Sequence, residues 1–287
     1  MDITSFVLGY KKGKAEGVSG GGGSLPAGVY FSPSPIRAPT NYRHKRFMFN
    51  GELYAGCSPY DAAGTINTIK KWDGSAWAEV VSVDETTHRL DSSNFTVVEL
   101  NGKAHIISGK YHSIFDGTSI TKSAGFSGLG GTYPVIWQGA LYALRSDMGD
   151  FYKWDEQSEG WIQILATSKM TELYTVNNQL YAKGKNSMYQ NHMFQYENGE
   201  FVQKSTGAIS ISNTIFLKGN KRYAIQGYVL YCYDFDTHTE TAAGTFPMAS
   251  LFLITENAND ISLIMATASG SNNYYPCFDV TIIDSTE

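Results

Sequence analysis

Asn50-Gly51-Glu52-Leu53-Tyr54-Ala55, followed by Lys71-Trp72-Asp73-Gly74 and then Trp77, is the stretch that decides the fold, because the chain repeats it. The pattern returns as Gln138-Gly139-Ala140-Leu141-Tyr142-Ala143, then Lys153-Trp154-Asp155, then Trp161. It returns again as Asn177-Asn178-Gln179-Leu180-Tyr181-Ala182, then Gln195-Tyr196-Glu197-Asn198-Gly199, then Phe201. Three weaker copies pass through Phe115-Asp116-Gly117, Cys232-Tyr233-Asp234 and Cys277-Phe278-Asp279. The aromatic-acidic marks fall at positions 73, 116, 155, 197, 234 and 279, at intervals of 37 to 45 residues. A period of this size means one supersecondary unit stacked many times.

Each copy reads as three or four short strands. An apolar run such as Phe47-Met48-Phe49 comes first. Asn-Gly or a relative follows, a strong hairpin signal because both residues tolerate positive φ. The Leu-Tyr-Ala strand is next, then a loop of variable length and an aromatic strand ending in Trp-Asp or Tyr-Asp. A second tight turn leads to an outer strand begun by Trp77, Trp161 or Phe201. Four antiparallel strands at this period describe a propeller blade. Helical periodicity is nearly absent after residue 25, which argues against an α/β fold.

The pattern resembles kelch-like β-propellers over roughly residues 28–284. The carried features are the turn-Leu-Tyr strand, the aromatic-Asp strand end and the second aromatic a few residues later. The resemblance implies an all-β, six-bladed propeller. The paired glycines of kelch blades are missing, since Gly56, Gly109, Gly184 and Gly227 stand alone. The sixth copy stops at Val280-Thr281-Ile282-Ile283 without an outer strand, while Gly28-Val29-Tyr30-Phe31-Ser32 is unmatched at the other end. Sheet edges need partners, so strand 28–32 is expected to close the domain 28–287.

Composition bounds the function. The chain has 287 residues, enough for one propeller with a real core. Its net charge of −5 argues against a nucleic-acid partner, whose binders carry basic patches. Cys57, Cys232 and Cys277 are too few and too scattered for a disulfide framework, and free thiols suit manufacture in a reducing cytoplasm. Phe6-Val7-Leu8 is too short an apolar run for a signal peptide, and no stretch is long enough to span a membrane.

Residues 1–16 form a separate piece. Asp2 can cap a helix, and Ile3, Phe6, Val7 and Tyr10 fall on one helical face. A Gly-rich linker, 17–27, follows. So short a helix is marginal alone, so its apolar face is expected to dock as an anchor. The run Met1-Asp2-Ile3-Thr4-Ser5-Phe6-Val7-Leu8-Gly9-Tyr10-Lys11-Lys12-Gly13-Lys14-Ala15 with its glycine tract resembles the N-termini of accessory virion proteins, head-fibre or tail-associated, from phages of Gram-positive hosts. That resemblance implies a virion location and other virion proteins as partners of the helix. A homo-oligomer stays open, although no coiled-coil heptads support one.

Catalytic constellations do not stand out. The six histidines are scattered, no Cys pair has zinc spacing, and no phosphate loop follows Gly20 to Gly23, so neither metal nor cofactor is expected. Ser146-Asp147-Met148-Gly149-Asp150 lacks the spacing of a sialidase aspartate turn and reads as an ordinary turn. The loops between second and third strands share one rim, and they are read as carrying Tyr60, Asp61, Tyr111, His112, Asp147, Tyr189, Asn191, Asn272 and Tyr274. Tyr with Asn, Asp and His suits sugar recognition or protein contact. The expectation is therefore a non-enzymatic head that binds host-surface glycan or protein. Two alternatives stand beside it: a propeller glycosidase or lyase with Asp61 or Asp147 at its centre, and a kelch-type protein interaction module.

Overall fold

A computed structural model describes residues 28–33, 42–59, 65–66, 68–82, 90–91, 95–108, 111–123, 134–145, 149–167, 170–210, 214–227, 229–245, 253–256, 261–264 and 277–283. The proposed anchor helix, with Ile3, Phe6, Val7 and Tyr10, and the Gly-rich linker lie outside these residues. All regular structure among the described residues is β.

Strand β1 (Gly28–Pro33) precedes β2 (Tyr42–Phe49), β3 (Glu52–Pro59), β4 (Thr65–Ile66), β5 (Thr68–Trp72) and β6 (Trp77–Ser82). Strands β2-β3-β5-β6 form the first antiparallel sheet, while β4 pairs with β7 (Leu90–Asp91) beside it. The second sheet runs β8 (Phe95–Leu100), β9 (Lys103–Ser108), β10 (Tyr111–Phe115), β11 (Ile120–Ser123). The third is β12 (Val135–Trp137), β13 (Ala140–Leu144), β14 (Phe151–Asp155), β15 (Gly160–Leu165). The fourth is β16 (Met170–Val176), β17 (Gln179–Lys185), β18 (Asn191–Glu197), β19 (Glu200–Gln203). The fifth is β20 (Thr214–Lys218), β21 (Lys221–Gln226), β22 (Val229–Asp234), β23 (Thr239–Thr245). The last sheet takes β24 (Leu253–Glu256), β25 (Ile261–Ile264) and β26 (Cys277–Ile283) from one end of the chain and β1 from the other, in the register Gly28↔Ile283 to Pro33↔Phe278.

The turns explain why the repeat folds this way. Asn50 and Gly51 have φ of 50° and 73°, and Asn101 with Gly102, Gln138 with Gly139, and Asn177 with Asn178 also pair two positive values. Two consecutive left-handed residues match the twist of a two-residue hairpin. Four of the acidic marks cap other turns. Asp73 Oδ1 accepts the amides of Ser75 and Ala76 at 2.8 and 2.7 Å. Asp116 Oδ1 does the same for Thr118 and Ser119 at 2.8 and 2.7 Å. Asp155 takes Gln157 and Ser158, and Asp234 takes Asp236 and Thr237. The Ser119 hydroxyl, with the amides of Ser119 and Thr118, holds the Asp116 carboxyl well below the usual carboxylate range.

Side chains alternate along the strands, and in the first five sheets the inner strands bury residues against the neighbouring sheet. Phe47, Phe49, Tyr54 and Ile69 of the first sheet pack on Ala104, Ile106 and Phe115 of the second. Leu100 and Ile107 meet Leu141, Ala143 and Trp154 of the third. From the third sheet's opposite face, Tyr142, Leu144 and Phe151 meet Leu173, Leu180, Ala182 and Phe194 of the fourth. Tyr174, Val176, Tyr181 and Met193 then meet Tyr233 of the fifth and Phe235, which follows β22. Each fully buried aromatic contributes about 1.5–3 kcal/mol. The first strands are neighbours in sequence order: β2 lies against β8, β8 against β12, and β12 against β16, while β20 lies against β24 and β24 returns to β2.

Candidate functional site

Tyr189 stands at the tip of the turn between β17 and β18, 76% exposed, with Met188 beside it at 71%. The turn is built by Asn186. Its side-chain oxygen accepts the amides of Met188 and Gln190, both at 3.0 Å. Its own amide donates to the Gln190 carbonyl at 2.9 Å, and its carbonyl accepts the Tyr189 amide at 3.0 Å. Tyr189 is held at φ 60°, a left-handed conformation that costs a non-glycine residue about 1–2 kcal/mol. Asn191 follows as the half-buried first residue of β18. The segment after β19 braces that strand: the Asn191 carbonyl accepts the Ile209 amide at 2.9 Å, and Ser205 Oγ accepts the Met193 amide at 3.1 Å.

Tyr111 and His112 correct the loop reading. Both belong to the third strand of the second sheet; Tyr111 is half-buried and His112 is fully buried. His112 occupies the place held by Ile69, Phe151, Met193 and Leu230 in the other copies, four residues before the acidic mark, so its side chain points into the stack. There it meets His105, which stands where the other copies place Tyr54, Tyr142, Tyr181 and Tyr223. His105 Nδ1 and His112 Nε2 share a hydrogen bond of 3.0 Å, and Trp154 stands edge-on to the His112 ring at 4.5 Å between centroids. Burial lowers both values, to about 4 for His105 and about 3 for His112. Tyr60, Asp61, Asp147, Asn272 and Tyr274 lie outside the described residues.

A second buried cluster joins the fourth and fifth sheets. Lys183 and Tyr174 both bond the Glu172 carboxylate. Arg222 donates from Nε to the Tyr174 hydroxyl at 3.1 Å and from Nη1 to Glu240 Oε1 at 3.2 Å. Its Nη2 lies 3.9 Å from Glu172. Ser210 Oγ completes the chain by donating to Glu240 at 3.1 Å. Burial depresses the Lys183 ammonium despite Glu172 beside it. For Arg222 burial acts in the same direction, but Tyr174, Glu172 and Glu240 outweigh it and keep the guanidinium charged. Two carboxylates balance two cations, so the cluster is neutral as well as bonded. The signal that finds it in sequence is misfit: Arg222 occupies the place of Leu53, Leu141 and Leu180.

Among the described residues no three His, Cys, Asp or Glu side chains gather as a metal site. Cys57 is free and buried, and burial pushes its thiol up to about 12. That removes it as a nucleophile near neutral pH.

No protein-family model and no curated protein matches this chain. Solved structures do. YCF48 from Cyanidioschyzon merolae superposes with a TM-score of 0.54 at 12% identity, covering 85% of this chain and 84% of that one. The extracellular domain described as that of a hybrid two component system from B. thetaiotaomicron gives 0.51 at 11% identity, over 87% of this chain but 39% of that one. The chain thus spans well under half of that longer protein. At such identities the likeness concerns fold alone, and the fold is β-propeller-like.

Proposed function

We propose that this chain is a non-enzymatic accessory virion protein whose six-bladed β-propeller head binds host-surface glycan or protein through its loop rim. The observation that carries the binding reading is the turn 186–190, which holds Met188 and Tyr189 out to solvent on a braced frame. A ring of six blades closed by β1 is supported by the place of β1 in the last sheet and by the approach of β2 to β24. The anchoring half rests on the resemblance of residues 1–15 to the N-termini of accessory virion proteins.

Two measurements test the proposal. Deleting residues 1–24 is expected to give a folded protein that is absent from purified particles. Incorporation at the normal level would remove the anchor. Labelled full-length protein is expected to adhere to host cells, and Tyr189→Ala to reduce that adherence at least tenfold. Undiminished adherence of the variant would move the contact away from this turn.

A further inference from the structure

The turn that carries Tyr189 has a chemistry narrower than general stickiness. Asn186 makes four hydrogen bonds across five residues, two through its backbone and two through its side-chain oxygen, so the tip is ordered before anything binds, and little ordering cost remains to oppose association. Tyr189 is kept at φ 60°, a conformation that bulky residues adopt only where the surroundings impose it and that gathers at ligand contacts. Two consecutive exposed apolar groups result, an aromatic ring and a thioether ending in a methyl. Around them the sequence places Lys185, Ser187, Gln190 and Asn191, all able to hydrogen bond.

Among the described residues, Met188 and Tyr189 are the exposed large apolar side chains of this turn; two side chains on a five-residue tip match a single sugar ring, whereas a stable protein interface covers about 800 Å² on each side. A plain hexose offers one apolar face, which the Tyr189 ring can take, and leaves nothing for Met188. An N-acetylated hexose offers the same face plus an acetamido methyl and its amide. We infer that the turn 186–190 is a binding site for an N-acetylhexosamine in a surface glycan. The pyranose stacks on Tyr189, the acetamido methyl packs on Met188, and Ser187 and Gln190 meet the polar groups. This inference rests on the reading of the rim as a host-binding surface and narrows it to one ligand class.

The test uses full-length protein labelled with ¹³C at the methionine methyls, titrated with chitotetraose and with cellotetraose, which share a β-1,4 backbone and differ in the acetamido group. The Met188 signal is assigned by its loss in Met188→Leu. The expected result is a Met188 shift with chitotetraose and affinity at least tenfold weaker for cellotetraose. Tyr189→Gly should lose at least tenfold in affinity while keeping the melting temperature, because glycine adopts φ 60° freely. Met188→Ala should bind both sugars alike. Equal affinity of the native protein for the two sugars, an unmoved Met188 signal, or full binding by Tyr189→Gly would each overturn the inference. Should neither sugar bind while Tyr189→Gly still abolishes adherence to cells, the N-acetylhexosamine falls and the host-binding reading stands. Protease treatment of the cells would then show a protein partner. Absence of adherence by the native protein would overturn both.

Discussion

Lowering the pH from 7.5 to 5.5 should cost this protein about 3 kcal/mol through one pair of side chains, His105 and His112. Both are buried, 2% and 0% exposed, and one imidazole donates to the other across 3.0 Å. Burial disfavours charge on His105; Glu156 opposes that effect, and Lys103 adds to it by less. His105 in turn disfavours charge on His112. In the unfolded chain each titrates at its ordinary value of 6.5. The folded-state values are depressed, so the unfolded chain binds more protons once the pH falls below 6.5. Stability from this source is complete above that value and is lost as the pH falls towards about 4 and about 3. At pH 5.5, a full unit below the unfolded value, each histidine accounts for about 1.4 kcal/mol. The sum requires only that both folded values lie well below 5.5. Urea unfolding followed by tryptophan fluorescence at the two pH values measures the loss. The control is the double variant His105→Asn with His112→Gln, which puts amide groups near the bonded Nδ1 and Nε2 atoms but cannot titrate. Its stability should change between the two pH values by about 3 kcal/mol less than that of the native protein. Equal pH dependence in the two proteins would refute the reasoning.

Glu172→Ala removes the carboxylate that the buried Lys183 and Arg222 share, and should lower unfolding stability by about 3–5 kcal/mol in the same urea assay; a loss below 1 kcal/mol, on the order of a surface substitution, would mean that the cluster is not sealed from water. Gly51→Ala meets no atom within 4 Å, so its cost is set by φ 73° alone and should be about 1 kcal/mol. Gly117→Ala would meet Phe49 at 3.5 Å, an ordinary contact, but its φ of 101° lies further from the left-handed well than 73° and should cost more than Gly51→Ala. The reverse order, read from thermal unfolding of the two variants, would show that turn conformation is not what these glycines supply.

Much of the fold is legible in the sequence because the repeat writes its turns in residues of special backbone tolerance. Asn50-Gly51 and Asn101-Gly102 mark hairpins at both positive-φ positions, and Asp73, Asp116, Asp155 and Asp234 mark the capped turns. The small pairing of β4 with β7 is not legible, since two residues in each of two loops carry no pattern. The candidate site is less readable than the fold. His112 looks like a polar loop residue until it is placed against Ile69, Phe151 and Met193, where its position proves to be a core position. Arg222 stands at a leucine position of the repeat, but its partners are not legible there: the stacking of the fourth and fifth sheets encloses it with Glu172 and Glu240. Burial of this kind depends on what the neighbouring sheet presents, which no single copy contains.

The pairing of β1 with β26 has a consequence during synthesis. Roughly 240 residues separate the end of β1 from the start of β26, so at ribosomal rates of about 5–20 residues per second β1 waits some 12–50 seconds for its partner. Throughout that interval Val29, Tyr30 and Phe31 form an apolar β-prone segment with no strand beside it, open to pairing with another nascent chain. Expression yield should therefore depend on the solubility of this one segment more than on any of the sheets that finish folding as they emerge.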